Sequence, residues 1–102
     1  KLQAMGKLEE IVGLESLAAK WKAFGWVVTE IDGHDLDQIR GAFNDLPFEE
    51  GKPNCIIAHT IKGKGISFME NVPIWHYRQP KSEEMKLACD ELGLRLIEGV
   101  VT

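Results

Sequence analysis

Residues 59–76, HTIKGKGISFMENVPIWH, of this 102-residue chain place two lysines, two spaced glycines and a terminal histidine on one connection. Lys62 and Lys64 flank Gly63, Gly65 follows, and His76 closes the stretch beside Trp75. Glycines let backbone N–H groups approach an anion, and lysines add charge to it, so the composition suits a small phosphate-bearing ligand. A solvated basic turn would use the same residues. A Walker loop is excluded: the glycine required five positions before Gly63 is Ala58, and Gly65 follows Lys64 where Ser or Thr is needed. His76 carries an imidazole that exchanges protons near neutral pH, which suits general acid–base work.

The other candidates are weaker. His34, His59 and His76 are widely separated, and only His34 lies among carboxylates, Asp32 and Asp35, so the spacing does not describe a metal site. His34 reads as a turn residue bonding local backbone, and His59 as a strand residue facing a neighbour. Glu83 and Glu84 read as favourable charges at a helix start. No Ser-His-Asp or Cys-His spacing stands out.

The elements that must hold these residues follow from periodicity. Leu14, Leu17, Ala18, Trp21 and Phe24 form a helical stripe that Gly25 ends. WVVTEI (26–31) is a short β-branched strand and DGHD (32–35) a turn. Asp35 and Gln38 make a capping-box pattern for a helix whose apolar face is Leu36, Ile39 and Phe43. It ends before LPFEEGKP (46–53). NCIIAHT (54–60) is a second strand, apolar enough to be buried on both faces. Ser82 is placed to cap a last helix with Met85, Ala88, Cys89 and Leu92 facing inward and Gly93 stopping it. The order α-β-α-β-loop-α implies a parallel pair with a right-handed crossover. Both turns at the strand carboxyl ends, DGHD and TIKGKG, then leave the same sheet edge, where ligands gather in such folds. Two strands alone make a poor sheet, so either the chain ends add strands or this is part of a larger α/β layer.

Composition narrows the class further. The chain is 44% hydrophobic and 27% charged, typical of a globular domain. A net charge of −4 argues against nucleic acid as a partner. No apolar run approaches a membrane span. Cys55 and Cys89 are far apart within apolar patterns, as buried thiols of a reducing compartment are, and the cytoplasm is the expected location.

Three segments together, LAAKWKAFGWVVTEIDGHDLDQI, KPNCIIAHTIKGKGISFMEN and the WH pair, resemble transketolase, and most closely the N-terminal subunit of the split, two-chain type. The resemblance runs in order from about Lys1 to Leu94. It implies an α/β fold, a parallel-sheet three-layer fragment of a thiamine diphosphate-binding fold. Residues 1–102 would be a single partial domain, the C-terminal part of the cofactor-binding domain. The tail 95–102 has no counterpart in the resemblance.

The implied activity is transfer of a two-carbon ketol unit between sugar phosphates, with thiamine diphosphate and Mg²⁺ (or Ca²⁺ or Mn²⁺) as cofactors. By position, His76 matches the family's acid–base and substrate-oxygen contact, and Ile61 an apolar residue packing on the cofactor rings. Lys62, followed by Gly63, matches a lysine near the diphosphate in related deoxyxylulose-phosphate synthases. Leu2 matches a residue that gives a backbone carbonyl to the metal. The expected partners are a C-terminal transketolase subunit, together with a second copy of the N-terminal one. Two departures bear on this. The family's Gly-Asp-Gly motif is absent, as though the chain begins one residue after the metal-binding asparagine. Tyr77 also stands where a glycine usually follows the histidine. The isolated chain is therefore expected to be inactive and not to bind the cofactors. A different thiamine-dependent enzyme such as deoxyxylulose-phosphate synthase, and a non-catalytic α/β interaction module derived from transketolase, are the alternatives.

Overall fold

A computed structural model describes residues 2–3, 6–7, 16–97 and 100–101. The chain forms two compact units, one within 13–60 and the other comprising 61–102 with the described residues near the start of the chain. The fold is α/β, with three helices and one parallel strand pair among the described residues. Near the start of the chain, the short strands β1 (Leu2–Gln3) and β2 (Gly6–Lys7) pair antiparallel as a sheet of their own.

In the 13–60 unit, helix α1 (Leu17–Ala23, LAAKWKA) is rich in strong helix formers. Gly25, at φ 88°, ends it in a left-handed turn. Its N–H donates to the Lys22 carbonyl at 2.9 Å, and the Trp26 N–H reaches back to the Trp21 carbonyl at 3.2 Å. These are the paired bonds of a Schellman stop, and the apolar contact that accompanies such stops is here Trp21 against Trp26, edge-on with centroids 4.8 Å apart. The expected stripe is only partly confirmed: Leu14 lies outside the described residues, and Phe24 is 84% exposed.

Strand β3 (Val27–Asp32) pairs in parallel with β4 (Asn54–His59), in register from Val27 opposite Asn54 to Asp32 opposite His59. The expectation that β4 is buried on both faces is not met, because β3 is its one strand neighbour among the described residues; its residues are half-buried or exposed.

Helix α2 (Leu36–Asn44) crosses between these strands. Asp35 caps it, accepting from the N–H groups of Asp37 and Gln38 at 2.9 and 3.1 Å. The capping box is altered, however. Gln38 Oε1 accepts from the Asp32 N–H at 2.9 Å instead of from Asp35, while its Nε2 donates to Asp35 Oδ2. The glutamine amide thus ties the end of β3 to the helix start. Ile31 and Ala42 are buried, whereas Leu36 and Phe43 are 73% and 63% exposed, so the expected apolar face of α2 is largely uncovered. Asn54 organises the connection before β4, accepting from the Phe48 N–H at 2.9 Å and donating to the Lys52 carbonyl at 2.8 Å.

In the other unit, helix α3 spans Ser82–Glu91. Its N-cap is Lys81 and not Ser82, which is already the first helical residue. The reason is Glu84, whose carboxylate accepts the Lys81 N–H at 2.8 Å and so fixes the cap one residue earlier. Ala88 and Cys89 are buried, and Leu92 is exposed. Gly93 stops the helix as expected: its N–H bonds to the Asp90 carbonyl, and the Leu94 N–H to the Cys89 carbonyl at 2.8 Å. After this stop, β5 (Leu96–Ile97) and β6 (Val100–Val101) form a further antiparallel pair, and neither short pair extends the parallel sheet. Both cysteines are free thiols. No described helix is long and apolar enough to cross a membrane.

Candidate functional site

Asp32 and His59 end their strands side by side, and the Gly33 N–H donates to the His59 carbonyl at 2.7 Å. A β-carbon at Gly33 would lie 2.6 Å from Thr60 Cγ2, so glycine is what lets the DGHD turn sit against the end of β4. At this edge His59 faces a neighbouring strand residue as expected, and His34 lies in the turn with its backbone N–H on a side chain. The His34 N–H donates to Asp32 Oδ1, and His59 Nε2 lies 2.9 Å from Glu30 Oε1 on the adjacent strand.

Beyond Thr60, residues 61–72 are more ordered than the sequence suggests. The loop is a succession of tight turns: Lys64 N–H to the Ile61 carbonyl, Ile66 N–H to Gly63, Met69 N–H to Ile66, and Val72 N–H to Met69. The Asn71 N–H returns to the Lys62 carbonyl at 2.9 Å. Gly63, at φ 76°, permits this fold-back, since a β-carbon there would meet the Met69 carbonyl oxygen at 2.6 Å.

These turns correct one expectation. The amides of Lys64, Gly65 and Ile66 do not face outward as an anion cradle. They donate to the Ile61 carbonyl, to Glu70 Oε1 and to the Gly63 carbonyl. Glu70 brings its own carboxylate to the place an anion would take, with Lys64 Nζ 4.0 Å away. The glycines serve backbone packing instead.

Lys62 points elsewhere. Its Nζ lies 3.1 Å from Nδ1 of His76, so the two candidates named in the loop meet. His76 ends a short 3₁₀ turn, Pro73–His76, rather than lying in irregular chain. Pro73 supplies the fixed φ that starts such a turn. Lysine has only donors, so Nδ1 is the acceptor, and the neutral ring carries its proton on Nε2. Tyr77 has φ −133°, a conformation open to any residue, and is 70% exposed. Tyrosine therefore strains nothing at this position.

A network that the sequence does not announce surrounds this turn. The Trp75 Nε1–H donates to the Phe68 carbonyl at 3.0 Å, and the two rings meet edge-on at 5.5 Å. The Arg78 guanidinium lies 4.3 Å from the Trp75 ring centroid and bonds Glu84 Oε1 at 2.6 Å. The Lys81 N–H and then Arg78 hold the Glu84 carboxyl below its ordinary range. The one local signal for this network is the nearness of Arg78 and Glu84 at the mouth of a helix, which by itself reads only as helix-start charge.

Among the described residues no group of three or more His, Cys, Asp or Glu side chains is arranged to hold a metal. Leu2, the expected carbonyl ligand, lies in β1 opposite Lys7. The donor set of Lys62 and His76 is an ammonium and an imidazole, and Ile61, next to Lys62 in sequence, is exposed. This set does not fit a metal ion.

Comparison with known sequences gives a consistent pattern. The family described as transketolase, thiamine diphosphate binding domain, matches residues 3–98. The chain is 38% identical over 96 residues to an apulose-4-phosphate transketolase subunit of Phocaeicola vulgatus, covering 94% of the chain and 34% of that protein. It is 41% identical over 92 residues to the protein of the same description from Actinobacillus succinogenes, covering 90% and 33%. It is 45% identical over 92 residues to 6-deoxy-6-sulfo-D-fructose transketolase subunit SqwG of a Clostridium species, covering 90% and 34%. The chain spans about a third of the length of these curated relatives.

Proposed function

The chain belongs to the transketolase thiamine diphosphate binding domain family, and on that premise we propose that it is part of the cofactor-binding subunit of a split transketolase. The complete assembly moves a two-carbon ketol unit between sugar phosphates. Relatives described as one subunit of a transketolase support a partner chain that completes the site.

The observation that carries this reading is the Lys62–His76 pair, 3.1 Å between Nζ and Nδ1. Thiamine diphosphate, when bound, supplies the electron sink that ketol transfer requires. The protein's part is to position groups and move protons. With Nδ1 occupied by the Lys62 ammonium, His76 presents Nε2–H as a donor toward a substrate hydroxyl or carbonyl oxygen. General acid–base groups of this kind contribute about 10²–10⁴-fold in rate. Ile61 offers apolar surface to a flat ring, Lys62 places positive charge beside a phosphate-bearing ligand, and Gly63 fixes the loop that carries both. Under the same reading the Leu2 carbonyl is the metal ligand that this chain contributes, and no proton transfer depends on it.

The test uses the complete cofactor-binding subunit reconstituted with its partner, assayed for ketol transfer between sugar phosphates. His76→Ala should lower kcat by about 10²–10⁴-fold and leave thiamine diphosphate affinity by calorimetry nearly unchanged. Equal losses in turnover and cofactor affinity, or no ketol transfer by the unsubstituted assembly, would overturn the proposal. The 102-residue chain alone should bind the cofactor negligibly. Micromolar affinity in the same calorimeter would contradict that.

A further inference from the structure

We propose that Arg78 and Glu84 are positioning residues that hold the His76 imidazole in its working orientation. This rests on the proposed function, in which His76 acts on substrate. A four-residue 3₁₀ turn has poor hydrogen-bond geometry and does not hold a side chain still by itself. Here the turn is closed by Tyr77 and Arg78 N–H groups on the Ile74 carbonyl, at 3.3 and 3.1 Å. The imidazole is exposed, so close packing does not fix it.

Its neighbour Trp75 is fixed instead. The indole is held by its Nε1–H bond to the Phe68 carbonyl, by edge contact with the Phe68 ring, and by the Arg78 guanidinium at 4.3 Å. A long arginine side chain left free would sample many rotamers and hold nothing. Glu84 removes that freedom: Oε1 takes Arg78 Nη2 at 2.6 Å, while Oε2 takes the Lys81 N–H at 2.8 Å. An exposed ion pair contributes little. This one has side chains only 31% and 28% exposed, and its carboxylate is held at both oxygens in the first turn of α3. Rigidity therefore passes from α3 through Glu84 and Arg78 to Trp75, and along one peptide bond to His76. Lys62 sets which ring nitrogen carries the proton, and this network sets where the ring is.

The test compares Arg78→Met, Arg78→Lys and Glu84→Gln in the complete assembly. Each folded variant should lower kcat, by between about tenfold and a hundredfold for Arg78→Met, as small misplacements of a catalytic group do. KM should stay within about twofold. Arg78→Lys keeps the charge toward Glu84 but loses the planar stack on Trp75, so it should recover only part of the rate. In parallel, nitrogen-15 spectra of the His76 ring should shift or broaden in Arg78→Met and recover partly in Arg78→Lys. If the His76 signal is unchanged in the folded variants, or kcat holds while thermal stability falls, the network merely staples the helix and the proposal fails. If the unsubstituted assembly shows no ketol transfer, the functional reading falls by itself, and the ring spectra still decide whether Arg78 positions His76.

Discussion

Ser67 gives both of its polar hydrogens to a single carboxylate, its N–H to Glu91 Oε2 and its O–H to Glu91 Oε1, each at 2.6 Å. The loop is thereby clasped to the last residue of α3. The Ser67 hydroxyl, followed by the Ser67 N–H, holds the Glu91 carboxyl below its ordinary value of 4.5. A group whose folded pKa is depressed contributes stability above its unfolded value and loses it as pH falls through the folded one. The clasp is therefore complete at neutral pH and opens in acid below 4.5. Asp35 and Glu84 are shifted in the same direction, so acid also removes what they contribute. The readout is thus a difference: thermal melts of Glu91→Gln should show a smaller loss of stability on acidification than the unsubstituted chain. Parallel curves would mean that the clasp contributes nothing.

Two glycines should respond oppositely to alanine. At Gly63 the new β-carbon would lie 2.6 Å from a backbone oxygen, that of Met69, in a left-handed conformation. The conformation alone costs about 1–2 kcal/mol. Gly63→Ala should therefore destabilise the loop, seen as faster hydrogen exchange of the Asn71 amide. Gly41 lies inside α2 with nothing within 4 Å of its would-be β-carbon. Gly41→Ala should stabilise by about 0.5–1 kcal/mol, measurable by urea unfolding.

Lys62→Met separates two roles for the lysine. If its work is to hold His76 Nδ1, the substitution should mix the ring tautomers in nitrogen-15 spectra and lower kcat, while Lys62→Arg, still a donor, preserves the single tautomer. If its work is to bind a phosphate-bearing cofactor, calorimetry should show the loss in affinity with the ring spectrum unchanged.

Exposed Leu36 and Phe43 on α2 form apolar surface of the kind that drives association. Light scattering of the isolated chain should show a mass that grows with concentration, and Leu36→Gln with Phe43→Gln should return it toward the monomer. A clean monomer at high concentration without the substitutions would contradict this.

The features legible in the sequence are those that local rules decide. The strands around WVVTEI and NCIIAHT, the Asp35 cap and the glycine stops at Gly25 and Gly93 depend on neighbours a few residues away. The start of α3 departs from its expected place because Glu84 reaches back to the Lys81 N–H and sets the cap one residue before Ser82, and a side chain's reach is not written in spacing. For β4, expected to be buried on both faces, and for the apolar face of α2, periodicity says which side is apolar, but not whether the described residues supply something to cover it. At the site, the identities of Lys62 and His76 are readable, but their meeting is not. It depends on a fold-back that carries one toward the other across a succession of turns. The Glu84–Arg78–Trp75 network is hidden for the same reason, since ordinary helix-start charges look alike until one of them finds an arginine.

The return of the Asn71 N–H to the Lys62 carbonyl means that the loop's two ends are tied before any ligand arrives. Under the proposed function, a molecule that binds at Lys62 has little slack chain to gather, and the entropy of ordering the loop is not subtracted from its binding.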